Sequence, residues 1–167
     1  MTCYFDLTCL KSCTGIILAP GHQAILTGTR IHTESEGYRD CEPAQRLARE
    51  NDLHFWFGKA PGIDVYTGPK MELGGYDSRG GWFAGCPDFS LEAEPLYYID
   101  RNRRCWRITE DSREFGEMGL LWRERMVPAE EIRIFASLDE AREYYPILRP
   151  ADTEELLEIF RQLEERT

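Results

Sequence analysis

The sequence predicts an α+β fold with a mainly antiparallel sheet. Strand-like segments fill the first 136 residues, helical patterns follow them, and no regular alternation of strands with helices points to a parallel α/β fold. The chain has 167 residues, of which 42% are apolar, so it can bury roughly 70% of its unfolded surface. We expect a single domain over residues 1–167.

The first predicted element is a hairpin within residues 4–33. Strand-like runs cover 4–10, 15–19 and 24–33, and Pro20-Gly21-His22 is a turn signal between the last two runs. Neither face of the run 24–33 is purely apolar, which indicates a strand at the edge of a sheet.

A short helix is predicted over 43–51, because Pro43 suits a first helical turn and Ala44 and Leu47 lie at helical spacing. The next run, 53–57, has the apolar character of a buried strand. Beyond it, turn residues recur so often that only short strands fit, such as 63–67 and 81–84.

The second predicted hairpin covers 96–109. Its arms, 96–100 and 105–109, are rich in aromatic and β-branched residues, and the polar stretch Arg101–Arg104 joins them. Further strands are predicted at 120–127 and 132–136.

Two C-terminal helices are predicted from capping-box spacing. Ser137 and Glu140 open a helix that runs through Tyr145, and Asp152 and Glu155 have the same spacing before a second helix. An apolar stripe on the second helix should pack on the sheet. The stripe consists of Leu156, Ile159, Phe160 and Leu163.

The charge of the chain favours some partners over others. Thirty acidic and 20 basic residues give a net charge of −10, and residues 91–167 alone carry 19 acids and 12 bases. This field repels nucleic acid and anionic membranes and attracts a basic protein. Because the chain shows neither a signal peptide nor a membrane-spanning run, and its six cysteines fit reduced thiols, a cytoplasmic location is expected.

No catalytic motif, cofactor-binding loop or metal-ligand spacing stands out. The sequence has no Cys-x-x-Cys pair, and its six cysteines and three histidines allow many nucleophile–base pairings and favour none. We therefore predict no cofactor and no metal, assign no catalytic residue, and favour a binding protein over an enzyme.

The glycine-rich segment 58–88 holds eight of the 14 glycines and offers two interpretations. Its aromatic residues could form a recognition loop, or the segment could be a tightly turned set of strands whose aromatics enter the core. The candidate contact residues are Tyr66, Tyr76, Trp82 and Phe83.

An arginine cluster surrounds the second hairpin. Arg101, Arg103, Arg104 and Arg107, together with Trp106, have the residue types that bind phosphates or stack on bases. Acidic residues lie close in the sequence, which favours ion pairing on the hairpin over binding of nucleic acid.

These observations lead to two functional hypotheses. The first is a protein-binding module of inhibitor or immunity type that masks a basic protein through the acids of residues 110–166, including Glu110, Asp111 and Glu114, and the aromatics of the glycine-rich segment. The alternative is a small-molecule-binding domain or enzyme whose aromatic pocket is formed by residues 58–88.

Overall fold

A computed structural model describes residues 2–6, 23–85, 94–149 and 153–165. Within these ranges the chain forms eleven β-strands and five α-helices, and most strand pairs are antiparallel. The predicted α+β class is confirmed. No helix in these ranges is both long and apolar enough to cross a bilayer.

The strands are short, as the frequent turn residues predict. In chain order they are β1 (Thr2–Asp6), β2 (Gln23–Thr27), β3 (Thr29–Ile31), β4 (Tyr66–Gly68), β5 (Met71–Tyr76), β6 (Trp82–Gly85), β7 (Leu96–Ile99), β8 (Cys105–Thr109), β9 (Val127–Pro128), β10 (Arg133–Phe135) and β11 (Ile147–Leu148).

The helices lie mainly in the second half of the chain. They are α1 (Glu42–Asn51), α2 (Phe115–Met118), α3 (Trp122–Arg125), α4 (Leu138–Tyr144) and α5 (Thr153–Glu165). Short 3-10 turns occupy Glu36–Asp40, Ser112–Glu114 and Gly119–Leu121.

The largest sheet has six strands in the order β3-β5-β6-β7-β8-β9. Strands β5 to β9 are antiparallel neighbours, whereas β3 runs parallel to β5. The predicted hairpin over 96–109 is confirmed, with Tyr98 opposite Trp106. Its turn is closed by Asp100, whose backbone N–H bonds to the carbonyl of Arg104.

Two smaller sheets complete the strand arrangement. One has the order β11-β1-β2 with parallel pairing, and the other joins β10 and β4 in antiparallel fashion. The predicted run 24–33 is divided at Gly28, which has a φ of 115°, so that β2 and β3 enter different sheets. The predicted first arm of this hairpin, 15–19, its turn and residues 7–10 lie outside the described residues.

Two predicted strands are not strands in the structure. Residues 120–127 form a 3-10 turn and α3, with only Val127 in a strand, because Trp122 is drawn into the core while Leu120 and Leu121 face outward. Residues 53–57 alternate between buried and half-buried side chains as a strand would, but they pair only through single bridges at His54 and Phe57.

The core has three parts, two of which cover opposite faces of the six-stranded sheet. On one face, Phe83, Tyr98 and Ile108 pack with side chains from α1 to α3. On the other face, Leu73 and Ile99 pack with the segments before β4 and after β9. The third part joins the small sheets to α4.

The C-terminal helices follow the prediction where it can be compared with the structure. Ser137 Oγ accepts a hydrogen bond from the backbone N–H of Glu140, and the Glu140 carboxylate accepts one from the N–H of Ala136. The second helix is α5. Its predicted cap at Asp152 and the side chains of its stripe other than Ile159 lie outside the described residues, so its packing on the sheet stays a prediction.

Candidate functional site

An exposed apolar pair lies on the turn between α2 and α3, within a segment, 114–124, that also carries three exposed glutamates. Leu120 and Leu121 are 51% and 50% exposed. Glu124, on α3, and Glu117, on α2, are also exposed, and the helical path is interrupted between Glu117 and Leu120 at Gly119, which has a φ of 55°. Together with Glu114, these residues are called the acidic leucine surface below.

The acidic leucine surface is held by buried anchors on either side of it. Trp122 is fully buried, and its indole N–H donates to the backbone carbonyl of Asn51 at 2.7 Å. The Asn51 side-chain amide donates in turn to the carbonyls of Phe115 and Gly119, at 2.7 and 3.4 Å. The turn is therefore fixed to the end of α1, which leaves Leu120 and Leu121 directed outward.

The charges around this surface are unevenly paired. Arg113 is bound to Asp111 at 2.6 Å and Arg46 to Glu50 at 2.9 Å. In contrast, Glu114, Glu117 and Glu124 form no ion pair among the described residues. Glu117 still adds to the negative field around Arg46, behind Glu50, and the exposed Arg125 on α3 likewise forms no ion pair among the described residues.

The three acids predicted as partner contacts differ in how far their carboxylates are already bound by other groups of the chain. Asp111 forms an ion pair with Arg113, which also donates its backbone N–H to the Asp111 carboxylate. Glu110 lies 3.7 Å from Arg107, and Glu114 accepts only a long hydrogen bond of 3.5 Å from Thr109. Of the three, Glu114 fits best with a surface that receives a basic partner.

The four aromatic residues predicted from the glycine-rich segment are not gathered in one place. Phe83 and Tyr66 are buried in different parts of the core, and Trp82 is partly buried on the opposite sheet face from Phe83. Tyr76 is 38% exposed and lies opposite Trp82 on the neighbouring strand. The structure thus pairs Tyr76 with Trp82 and separates Tyr66 and Phe83 from them, while the aromatic pocket stays a prediction.

Beneath Tyr76 lies a polar network that the sequence patterns do not reveal. Asp52, in the left-handed conformation after α1, accepts hydrogen bonds from Ser78 Oγ and from the Arg123 guanidinium. His54 Nε2 lies 2.8 Å from the same carboxylate, and the His54 ring stacks on Tyr76. These contacts span up to 71 positions in the sequence, so no short sequence motif predicts them.

A second carboxylate extends this network into the core. The side chain of Asp77 is fully buried and accepts hydrogen bonds from the Tyr98 hydroxyl and the Gly81 N–H, both at 2.9 Å. Arg123 lies 3.5 Å from Asp77 and so joins both carboxylates. Burial, followed by the hydrogen bond to Asp77, raises the pKa of Tyr98.

The network contains serine, histidine and aspartate, but its connections differ from those of a hydrolytic triad. A triad needs the serine to donate to the histidine, whereas Ser78 and His54 both bind the carboxylate of Asp52. As arranged, the group cross-links α1, the β5–β6 turn and α3.

Acid should weaken this cross-link. Burial alone would raise the pKa of Asp52, but hydrogen bonds from Ser78, His54 and Arg123 outweigh it and lower the pKa from 3.8 to about 2. A lowered pKa stabilises the fold above the unfolded value and loses that effect as pH falls through the folded value. We expect Asp52→Asn to lower the free energy of unfolding by about 1–2 kcal/mol near neutral pH, after allowance for solvent screening.

Urea unfolding at about pH 6 and about pH 2.5 measures this effect, and the difference from wild type should at least halve at the lower pH. Asp64→Asn, at an exposed carboxylate with no hydrogen bond or ion pair among the described residues, is the control and should change little at either pH. A loss of unfolding free energy in Asp52→Asn that is equal at both pH values would contradict the lowered pKa of Asp52.

The described cysteines give no sign of a reactive centre. Cys3 and Cys105 are buried, and burial raises the pKa of the Cys105 thiol to about 12. Cys41 is exposed, and acidic residues flank it. Among the described residues, no group of three or more His, Cys, Asp and Glu side chains is arranged to hold a metal ion. Cys9, Cys13 and Cys86 lie outside these ranges.

No protein family model, curated protein or solved structure matches this chain.

Proposed function

We propose that the protein is a binding module of inhibitor or immunity type, which masks a basic protein partner with its acidic leucine surface. The observation that carries this proposal is the exposure of Leu120 and Leu121 on a segment, 114–124, whose three glutamates, Glu114, Glu117 and Glu124, form no ion pair among the described residues. Protein interfaces commonly combine a desolvated apolar centre with a polar rim.

The two components of this surface have different roles in binding. Exposed glutamates attract a basic partner over a distance of about 10 Å at moderate salt and so raise the association rate. The leucines supply apolar area that is removed from water in the complex, which slows dissociation. Since the net charge of the chain is −10, the whole molecule adds to the attraction.

Rigidity of the turn also favours a binding role. The hydrogen bonds of Asn51 to the carbonyls of Phe115 and Gly119 hold the backbone on both sides of the surface. A surface that is already ordered loses little conformational entropy when a partner binds.

The proposal is tested by capturing partners from a lysate of the source cells with immobilised protein and two double variants. Leu120→Ser with Leu121→Ser should reduce retention of a basic partner at least tenfold, because buried anchor side chains dominate interface energy. Glu117→Lys with Glu124→Lys should reduce it further at low salt, since the attraction is replaced by repulsion.

A matched control carries the same change of charge elsewhere. Asp139→Lys with Glu143→Lys alters two exposed acids on α4, which belongs to a different part of the core. This control should retain the partner nearly as well as wild type. Equal retention by wild type and both surface variants, or recovery of only acidic proteins, would refute the proposal.

A further inference from the structure

A groove of about 650 Å³ lies between the β7–β8 turn, the chain around β10 and helix α4. Its lining includes the apolar side chain of Ile132 and the buried Cys105. Three arginines line it, two from the hairpin turn and one from β10. They are Arg103, Arg104 and Arg133. The volume is in the range of small-molecule binding sites.

Two aromatic rings in the groove each lie against an arginine. The guanidinium of Arg104 is 5.6 Å from the ring centre of Trp106, and that of Arg133 is 4.1 Å from the ring centre of Tyr144. Trp106 and Tyr144 are 38 positions apart in the sequence, and the fold places both on the same groove. Stacked guanidinium and aromatic planes are suited to a flat ligand.

The hairpin side of the groove is ordered by one carboxylate. Asp100 accepts hydrogen bonds from the backbone N–H of Arg104 at 3.0 Å and from the Trp106 indole N–H at 2.9 Å. Directly before Arg104, Arg103 has a φ of 59°, in the left-handed region that non-glycine residues seldom occupy. These contacts fix the turn that carries Arg103, Arg104 and Trp106.

The charges in the groove contrast with the acidity of the whole chain. Arg103 and Arg133 form no ion pair among the described residues, whereas Arg104 is paired with Asp100. Two glutamates also line the groove, but the carboxylate of Glu140 already accepts a hydrogen bond from the backbone at 2.6 Å. The Arg133 guanidinium also donates a hydrogen bond to Tyr145, and Glu130 remains on the lining. The groups available to an anion beside the two rings are therefore Arg103 and the remaining donors of Arg133.

We propose that this groove binds a small anion that carries a flat ring. The anionic group, a phosphate or a carboxylate, would accept hydrogen bonds from Arg103 and Arg133, whose planar donors match both groups. The ring would lie against the aromatic and apolar side chains between them. The site is separate from the acidic leucine surface and does not depend on the proposed partner.

Isothermal titration calorimetry on the full chain at physiological salt tests the site with three probes. Adenosine monophosphate carries a ring and a phosphate, benzoate a ring and a carboxylate, and inorganic phosphate no ring. We expect saturable one-site binding of at least one ring-bearing probe in the millimolar range or tighter. Which of the two binds distinguishes a phosphate from a carboxylate ligand.

Variants locate the binding in the groove. Arg133→Gln and Arg103→Gln should each weaken the ring-bearing probe about tenfold or more, because a charge-assisted hydrogen bond is lost. Arg142→Gln, at an exposed arginine on α4 that does not line the groove, should bind as wild type does. Circular dichroism of each variant verifies that it is folded.

Three results would overturn the inference. One is the absence of saturable binding of both ring-bearing probes, and another is unchanged affinity in both Arg133→Gln and Arg103→Gln. The third is binding of inorganic phosphate as tightly as adenosine monophosphate, which would show that the rings take no part.

Discussion

Replacing Trp122 with alanine should lower the free energy of unfolding by about 4 kcal/mol, because a large buried ring is lost and a cavity remains. The Trp122 ring is fully buried and lies 5.1 Å, centre to centre, from the rings of both Phe83 and Tyr98. Its indole N–H also bonds to the Asn51 carbonyl, which would be left without this donor.

Urea unfolding followed by circular dichroism measures this loss. Trp122→Phe is the matched variant, since it retains an aromatic ring and removes the N–H, and it should cost less than half as much as Trp122→Ala. A loss below about 1 kcal/mol in Trp122→Ala would contradict the central position of this side chain.

The second large effect is expected at Asp77. Asp77→Ala should lower the free energy of unfolding by about 3 kcal/mol, because it leaves buried donors without an acceptor and Arg123 with one carboxylate fewer. The donors are the Tyr98 hydroxyl and the N–H groups of Arg79 and Gly81. The hydrogen bond between Tyr98 and Asp77 requires a glycine at position 81, since a Cβ there would lie 2.1 Å from the Tyr98 hydroxyl oxygen.

A double-mutant cycle with Tyr98→Phe isolates the Asp77–Tyr98 hydrogen bond. In the Tyr98→Phe background, Asp77→Ala should cost about 1 kcal/mol less than in wild type, because the Tyr98 hydroxyl, one of the donors left without an acceptor, is already absent. The control is Asp64→Ala, at an exposed carboxylate, which should change stability by less than about 0.5 kcal/mol. Additive losses at positions 77 and 98 would exclude the proposed coupling.

Local signals in the sequence predict several elements correctly. The polar residues between two aromatic runs predict the 96–109 hairpin, and the Ser137–Glu140 spacing predicts the start of α4. Such elements depend on side chains within a few positions of one another. A helix from Glu42 to Asn51 likewise follows from Pro43 and the apolar spacing.

Elements that depend on distant contacts could not be predicted in the same way. The parallel pairing of β1 with β2 and β11 joins strands from opposite ends of the chain. An apolar run such as Leu120-Leu121-Trp122 suits a strand or a buried helix equally by periodicity. The buried environment of Trp122 decides between them, and that environment comes from α1 and the six-stranded sheet.

The candidate site was predictable only in part. Charge in the C-terminal half points to acidic contact residues, and Glu114 is exposed as this hypothesis requires. The exposure of Leu120 and Leu121 was not predictable, because leucine in a sequence is usually assigned to the core. The arginine cluster on the second hairpin was visible in the sequence, but its partners Arg133 and Tyr144 come from elsewhere in the fold.

The central claim is that the exposed acids and leucines of segment 114–124 together bind a basic protein. The measurement that tests it most directly is the association rate constant of the captured partner as a function of salt, for wild type and for Glu117→Lys with Glu124→Lys. We predict at least a tenfold fall in the wild-type rate from low to high salt and a much weaker dependence in the variant. A wild-type rate that does not change with salt would contradict the claim.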